Sequence, residues 1–573
     1  MCGIVGLIDP FCKKEVLSRQ LEKGCQLLKH RGPDDQGMYL EEGAGFGVRR
    51  LAIQDLVNGK QPFYYRNHVL FFNGELYGIH SLRHNLIQLG YPISTNCDTE
   101  VFLYAYFHYK ENFLDQLSGM FAFAIWNSET KQLVIGRDRW GEKPLYYTQN
   151  GNYFAFASEI HAFKAFEKTD WTISKPDIYF FLQHSHLLVP KTGWENIHKL
   201  EQGSILTFKE GKVDFYRYFN FLQTIQKKTI QKTPTQFLDI LNTSVKECLV
   251  SDRPVGAFLS GGVDSSSIVA LAKKHLDIPV FSLCWDNPKY TEETYSNMLV
   301  RHLNLKHYKT SCTPNYFKQH FDSIAASYGE LFGDESMIPT SCLAEFAKSH
   351  VDVVLTGDGG DELFHGYDRY FFNDLDFMKY LDIFSALPKQ LKEKSHLSRI
   401  QVDNHPYIEL HEFIIKSTHP LRARSYLDLI TYLTNTILTK VDRATMRVSL
   451  ESRAPFLQKR ITDFILGTKI EDLHSSRLRK KILKDAVCHL LPSKILNREK
   501  KGFGMPLEFW FSQDLKSWLI ERLHSSFLLS LDFIHENSVE YLIKNAGKKS
   551  HKRLIFNLLV LETWLRNQPK YIC

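Results

Sequence analysis

The sequence predicts two halves of different class, an α+β domain followed by an α/β domain built on a parallel sheet with added helices. Three observations carry this. The first 210 or so residues hold short runs rich in aromatic and β-branched residues, at 69–72, 120–126, 133–135, 145–147, 153–157 and 204–208, the composition of strands. Three later runs, 255–259, 279–283 and 351–355, are almost wholly apolar and alternate with helical patterns, as strands buried on both faces of a parallel sheet do. Two of those runs end in loops dense in glycine and carboxylate, Ser260-Gly261-Gly262-Val263-Asp264-Ser265-Ser266 and Thr356-Gly357-Asp358-Gly359-Gly360-Asp361-Glu362.

In the first half, amphipathic helices are predicted at 17–29, 81–89 and 99–109, and Asn150-Gly151 reads as a two-residue hairpin turn. Asp98 stands where the cap of the third helix is expected. A mixed stretch at 213–233 reads as the linker, which places the domains at 2–212 and 234–573. Thr233-Pro234 then opens a helix as N-cap and first-turn proline. In the second half Ser265 opens a helix with Ile268, Leu271, Ala272 and Leu276 on one face.

Composition limits the function. The 573 residues are 43% hydrophobic, enough for sizeable cores, and an excess of 71 basic over 64 acidic residues is too small on this length to indicate nucleic acid. The basic runs 477–481 and 548–553 read as solvated faces. Ten cysteines without metal-binding spacing fit free thiols in a reducing compartment. No apolar stretch approaches the ~20 residues of a membrane span, and the N-terminus lacks a signal peptide's basic region. The expected location is cytoplasmic, without nucleic-acid or membrane partners and with a homodimer left open.

Cys2 can join nucleophile and base in one residue. Once Met1 is removed, its α-amine, titrating near ~8, can take the proton of its own thiol. The order Cys2-Gly3-Ile4-Val5-Gly6, Arg31-Gly32-Pro33-Asp34-Asp35, Arg50-Leu51-Ala52-Ile53, Asn73-Gly74-Glu75, Asp98 and Arg137-Asp138-Arg139-Trp140-Gly141 resembles the glutaminase domain of class II, N-terminal-nucleophile amidotransferases, which are αββα sandwiches. The resemblance implies that Cys2 attacks the side-chain amide of glutamine and that Asn73 and the Gly74 N–H hold the oxyanion. It also implies that Arg50 binds the glutamine carboxylate and that Glu75 and Asp98 receive its α-ammonium. The choice of Arg50 over Arg49 rests on the family's R-L-x-I pattern.

Strand, glycine loop and helix make a phosphate-binding layout, and the absence of a lysine after the glycines excludes the loop that handles a γ-phosphate. SGGVDSS after an apolar strand resembles the PP-loop of ATP pyrophosphatases, which split ATP between the α and β phosphates. ATP contacts are expected from Ser260, Gly261, Gly262, Asp264, Ser265, Ser266 and Gly357. Bringing Asp264 and Asp361 together at one sheet edge would make a Mg²⁺ site.

The segments Lys440-Val441-Asp442-Arg443-Ala444-Thr445-Met446, Glu451-Ser452-Arg453-Ala454-Pro455-Phe456-Leu457 and Arg498-Glu499-Lys500-Lys501-Gly502-Phe503-Gly504 extend the resemblance to glutamine-hydrolysing asparagine synthetases over nearly the whole chain. That family implies glutamine, ATP and aspartate as substrates, catalytic roles for Asp358 and Lys500 (Lys501 being the close competitor), and asparagine, AMP, pyrophosphate and glutamate as products. Three departures from the family pattern, Asp358 for Glu, His365 for Gly and Gln458 for Asp, leave another carboxylate acceptor, such as a sugar acid or peptide side chain, as the alternative. A non-catalytic scaffold is the reading of another class, and it predicts damage at Cys2, Asn73, Asp264 or Asp361, all of which are intact.

Overall fold

The structure is a computed structural model that describes residues 1–226, 229–285, 290–371, 418–475, 479–499, 504–524, 527–530 and 533–568, with 380–381, 383–386, 412–414, 416 and 502. In the first half twelve strands form two antiparallel six-stranded sheets. One contains β1 (Cys2–Ile8), β2 (Asp35–Glu41), β3 (Ala44–Arg50), β8 (Tyr146–Asn150), β9 (Tyr153–Ala157) and β10 (His198–Lys199) in the order β10-β8-β9-β1-β3-β2. The other contains β4 (Phe63–Tyr65), β5 (His68–Leu76), β6 (Gly119–Asn127), β7 (Gln132–Arg137), β11 (Ser204–Lys209) and β12 (Lys212–Arg217) in the order β12-β11-β7-β6-β5-β4.

Inward-facing residues of both sheets, Ile4, Phe46, Val48, Phe71, Trp126 and Phe156 among them, pack into one buried core between the layers. Helix Lys14–Leu27 covers the first sheet and helix Asp98–Tyr109 the second. The result is the αββα sandwich. Strands β1 to β3 escape the sequence reading because they are rich in glycine, which masks strand propensity. The glycines are there for close packing: a Cβ on Gly47 would lie 2.3 Å from Cys25 Sγ on the covering helix.

Three local expectations shift. The hairpin turn is Gly151-Asn152, with Asn150 ending β8 opposite Tyr153. Asp98 is the first helical residue, Cys97 being the N-cap. The stretch read as linker begins inside β12, which pairs with β11.

The second half is doubly wound. Strands β13 (Val255–Phe258), β14 (Val280–Cys284), β15 (His307–Ser311), β16 (Val353–Leu355) and β17 (Glu451–Arg453) form a parallel sheet in the order β15-β14-β13-β16-β17. The chain builds outward from β13 to β15, then crosses to β16 on the other side. The crevice between the carboxyl ends of β13 and β16 is therefore the topological switch point, where ligands bind in open α/β sheets. Helix Pro234–Cys248 leads into β13 and starts with the expected Thr233 cap, completed by Gln236 into a capping box. The helix after β13, Val263–Lys273, starts two residues before the predicted Ser265 and puts Asp264 in its first turn, while Leu276 lies beyond it and is exposed.

A π-helical segment, Leu429–Leu438, runs directly into helix Thr439–Met446. Its Thr434 hydroxyl donates to the Trp140 carbonyl at 2.7 Å, joining the two halves. Among the described residues no helix is long and apolar enough to cross a membrane, and nine cysteines carry free thiols.

Candidate active site

The antiparallel register of β1 and β3 places Cys2 directly opposite Arg50. Alternation along β3 then sends Arg49 to the other face, where it donates to the Gly32 carbonyl at 2.9 Å. Strand pairing thus puts Arg50, and not Arg49, opposite Cys2. The Arg50 guanidinium is buried and donates to the backbone carbonyls of Gln54, Asp55 and Leu56 at 3.2, 2.8 and 3.3 Å.

Asn73, Gly74 and Glu75 lie inside β5, not in a turn after it. The Cys2 N–H donates to Asn73 Oδ1 at 2.9 Å, and Asn73 Nδ2 is buried with no partner. An unsatisfied buried donor beside Cys2 is costly unless something arrives to use it. Gly74 is required by crowding, since a Cβ there would meet the Met120 carbonyl at 2.4 Å. The Asp98 carboxylate accepts from the Leu76 N–H at 2.9 Å, which ties its helix to the end of β5. Burial raises the Asp98 carboxyl and pushes that of Glu75 well above the usual range.

The α-ammonium of Met1 is buried against Glu451 Oε2 at 2.7 Å. Burial pushes the Cys2 thiol up, opposed by the neighbouring ammonium. Gln61 Nε2 donates to Cys2 Sγ at 3.5 Å. Glu451 and Arg453 come from β17 in the other half of the chain. Arg453 donates to Glu451 at 2.7 Å and sits 3.4 Å from Glu75.

The second site is a cavity of about 690 Å³ over the switch point, lined by Ser260, Gly262, Asp264, Gly357, Asp358 and Asp361, among others. The two glycine loops are pressed together: a Cβ on Gly357 would lie 2.9 Å from the Ser265 amide nitrogen, and one on Gly360 2.8 Å from Asp264 Cγ. Gly261 has φ +77°, which favours glycine, and a Cβ would meet the Ser296 amide nitrogen at 2.6 Å. Ser260 and Ser265 hydroxyls lie 3.1 Å apart. Gly261 shapes the loop without lining the cavity, and Ser266, expected to contact ATP, is fully buried in the helix outside that lining.

Asp264 and Asp361 do come together, bridged by Lys480, whose Nζ is 2.6 Å from Asp361 Oδ1 and also bonds to Asp264 Oδ2. Asp264 Oδ1 is buried and unpartnered. Two converging carboxylates with a spare oxygen fit a hard divalent cation. Lys480 belongs to the basic run read as a solvated face; instead it is buried, with φ +54°. Arg498 packs over the Tyr295 ring at 4.4 Å and bonds to Glu292 at the edge of the cavity. Lys500 and Lys501 lie outside the described residues.

Asp358 faces the cavity. Burial raises its carboxyl, and Lys440 partly offsets this. The other two departures from the family pattern lie outside the cavity lining. His365 has φ +57°, the conformation that makes glycine usual there. Gln458 Nε2 donates to the Ser244 carbonyl at 3.1 Å, a bond no aspartate could donate.

Among the described residues one further trio, His30, Glu159 and His161, brings ligand atoms within 4.8 Å of one another. Glu159 Oε1 already lies 2.6 Å from Arg31 and 2.9 Å from Arg443, so two guanidiniums balance its charge.

Two family descriptions match the chain: glutamine amidotransferase domain over residues 1–219 and asparagine synthase over 236–566. Asparagine synthetase [glutamine-hydrolyzing] 1 of Bacillus subtilis is 31% identical, covering 98% of this chain and 96% of its own. Asparagine synthetase [glutamine-hydrolyzing] 3 of the same organism is 28% identical over 98% of each. Asparagine synthetase B [glutamine-hydrolyzing] of Escherichia coli is 27% identical over 90% of this chain and 84% of its own.

Proposed function

The chain belongs to the glutamine-hydrolysing asparagine synthetase family, and on that premise we propose that it transfers the amide nitrogen of glutamine to the β-carboxylate of aspartate, using ATP. As a member it is a glutamine-dependent amidotransferase and an ATP-using ligase. The proposed units are the glutaminase, residues 2–212 with the rest of β12 to Arg217, and the synthetase, residues 234–573.

The observation that carries the reading is one buried ion network between the two sites. Arg31 Nε donates to the carbonyl of Cys2 at 3.1 Å, and the same guanidinium forms a fork on Asp442 at 2.8 and 2.9 Å. Asp442 is two residues from Lys440 in the ATP cavity. A rigid connection of this kind suits two half-reactions that must share a short-lived nitrogen.

In the glutaminase half, the thiolate of Cys2 attacks the glutamine amide carbon. Asn73 Nδ2 and the Gly74 N–H hold the oxyanion, ammonia leaves, and water releases glutamate from the thioester. Arg50 takes the glutamine carboxylate, with Glu75 and Asp98 toward its ammonium. In the synthetase half, the aspartate β-carboxylate attacks the α-phosphorus of ATP and pyrophosphate leaves. Ser260, Gly262, Ser265 and Gly357 frame the phosphates, and Lys500 is assigned to neutralising them. Asp264 and Asp361 would hold Mg²⁺, which when bound neutralises phosphate charge. Ammonia then attacks the acyl carbon of the adenylate, Asp358 accepts a proton from the new ammonium, and AMP departs.

The test supplies purified protein with glutamine, aspartate and MgATP. Asparagine, AMP and pyrophosphate in equal amounts are expected. Pyrophosphate release that ignores aspartate but follows another carboxylate would overturn the acceptor, and ADP with phosphate would overturn the ATP chemistry.

A further inference from the structure

Beyond the glycine loops, the junction of the π-helical segment and helix Thr439–Met446 contributes Thr436 and Lys440, four residues apart, to the cavity lining. The Thr436 hydroxyl is buried and has no hydrogen-bond partner among the described residues. Lys440 Nζ stands 3.7 Å from Asp334 Oδ2, too far for a hydrogen bond. Asp334 is held in place by the Ser336 N–H at 2.9 Å and the Ser336 hydroxyl at 2.7 Å, both on Oδ1, which leaves Oδ2 turned to Lys440. The Lys440 backbone is fixed by the Tyr328 hydroxyl, which donates to its carbonyl at 3.2 Å. All three side chains line the same cavity as Asp358 and Asp264.

This is a pair of opposite charges, loosely spaced and mostly buried, with a spare hydroxyl beside the cation. A phosphate does not suit it, because Asp334 would repel the anion. A zwitterion does: a carboxylate inserts at Lys440 and Thr436, an ammonium at Asp334, and each charge finds its complement. We propose that Lys440, Thr436 and Asp334 recognise the α-carboxylate and α-ammonium of the acceptor amino acid, leaving its side-chain carboxylate to face the PP-loop. The inference rests on aspartate being the acceptor. It makes these residues the determinants of specificity for an intact, free amino acid over analogues lacking either charged group.

Aspartate-dependent exchange of labelled pyrophosphate into ATP tests this, because adenylation precedes ammonia attack and needs no proton transfer to Asp358. Aspartate is compared with 3-aminopropionate, which lacks the α-carboxylate, and with succinate, which lacks the ammonium. Wild type should favour aspartate over both. Lys440→Gln should raise the aspartate KM by roughly 100-fold, the scale for removing one partner of a buried charge pair, and should nearly abolish the preference over 3-aminopropionate. Lys440→Arg should restore much of it. Asp334→Asn should erase the preference over succinate instead. Glutamine hydrolysis in the same preparations reports folding, and a misfolded Lys440→Gln protein is replaced by the Thr436→Val and Asp334→Asn comparison. Variants that keep the wild-type preferences overturn the subsite while leaving aspartate as acceptor. No aspartate-dependent exchange in wild type overturns the acceptor and the subsite together.

Discussion

The α-ammonium of Met1 lies 2.7 Å from Oε2 of Glu451, so a strand of the synthetase half closes the wall of the glutaminase pocket. Glu451 is completely buried, and its carboxyl is held low against its burial by that ammonium and Arg453. Met1 thus sets a positive charge beside Glu451 and Glu75, where the proposed reading seats the glutamine ammonium.

Glutaminase activity should therefore track the fraction of chains that have lost Met1. Intact-mass measurement of each preparation, compared with its glutamate release, checks this. Chains retaining Met1 should show no glutamine hydrolysis yet retain synthesis from added ammonium. Full glutaminase rates in unprocessed protein would refute the role of the Cys2 amine.

Lys480 makes a second prediction. It bridges Asp264 and Asp361 from a nearly buried position. Removing one partner from a buried pair leaves like charges uncompensated, at a cost of about 3–5 kcal/mol. Lys480→Met should lower the melting temperature of the free protein, and Mg²⁺ should restore more stability to this variant than to wild type. Equal Mg²⁺ shifts in both would show that the carboxylates are not where the ion binds.

How much of this was legible depends on the range of the interaction. The PP-loop is local: strand, glycines and helix are contiguous, so their layout could be read directly. That Arg50 and not Arg49 stands opposite Cys2 needs the register of β1 and β3. Glu451 and Arg453 reach the glutaminase site from the far end of the chain, and no spacing announces that. Lys480 was hidden in a basic run, where solvation is the ordinary explanation and burial against two acids is the exception. Asp98 read as a cap because capping is a local signal, whereas its partner, Leu76, lies at the end of β5.

Glu362 gives a pH-dependent prediction. Burial pushes its carboxyl up to about 7, against the hydrogen bond from Tyr367 at 2.8 Å. Between the ordinary value of 4.5 and about 7 the folded protein holds a proton that the unfolded chain has lost, so stability falls as pH rises through that window. At 1.36 kcal/mol per pH unit the loss is up to about 3 kcal/mol. Glu362→Gln should match wild type below pH 4.5 and be the more stable protein above pH 7. Urea unfolding at the two ends measures the difference, and parallel pH profiles would refute it.

The last prediction concerns Asp358. Ammonia attack gives an intermediate bearing an ammonium, and a base must take a proton before AMP leaves productively. Asp358 faces the cavity and is raised by burial while Lys440 restrains the shift, which suits a carboxylate that must bind a proton and release it again. Asp358→Asn should keep aspartate-dependent pyrophosphate exchange, since adenylation needs no such base, but lose roughly 10²–10⁴ in amide formation. The acid limb of the pH–rate profile for amide formation should vanish with it. Asp358→Glu adds one methylene, and a shift of about 1 Å in a reacting group can cost on the order of 100-fold. Near-normal asparagine formation in Asp358→Glu is expected if aspartate sits in a loosely fitted site, and a sharp drop if a bulkier acceptor needs the space. Asp358→Asn turning over at the wild-type rate would leave the residue only a role in ordering the loop.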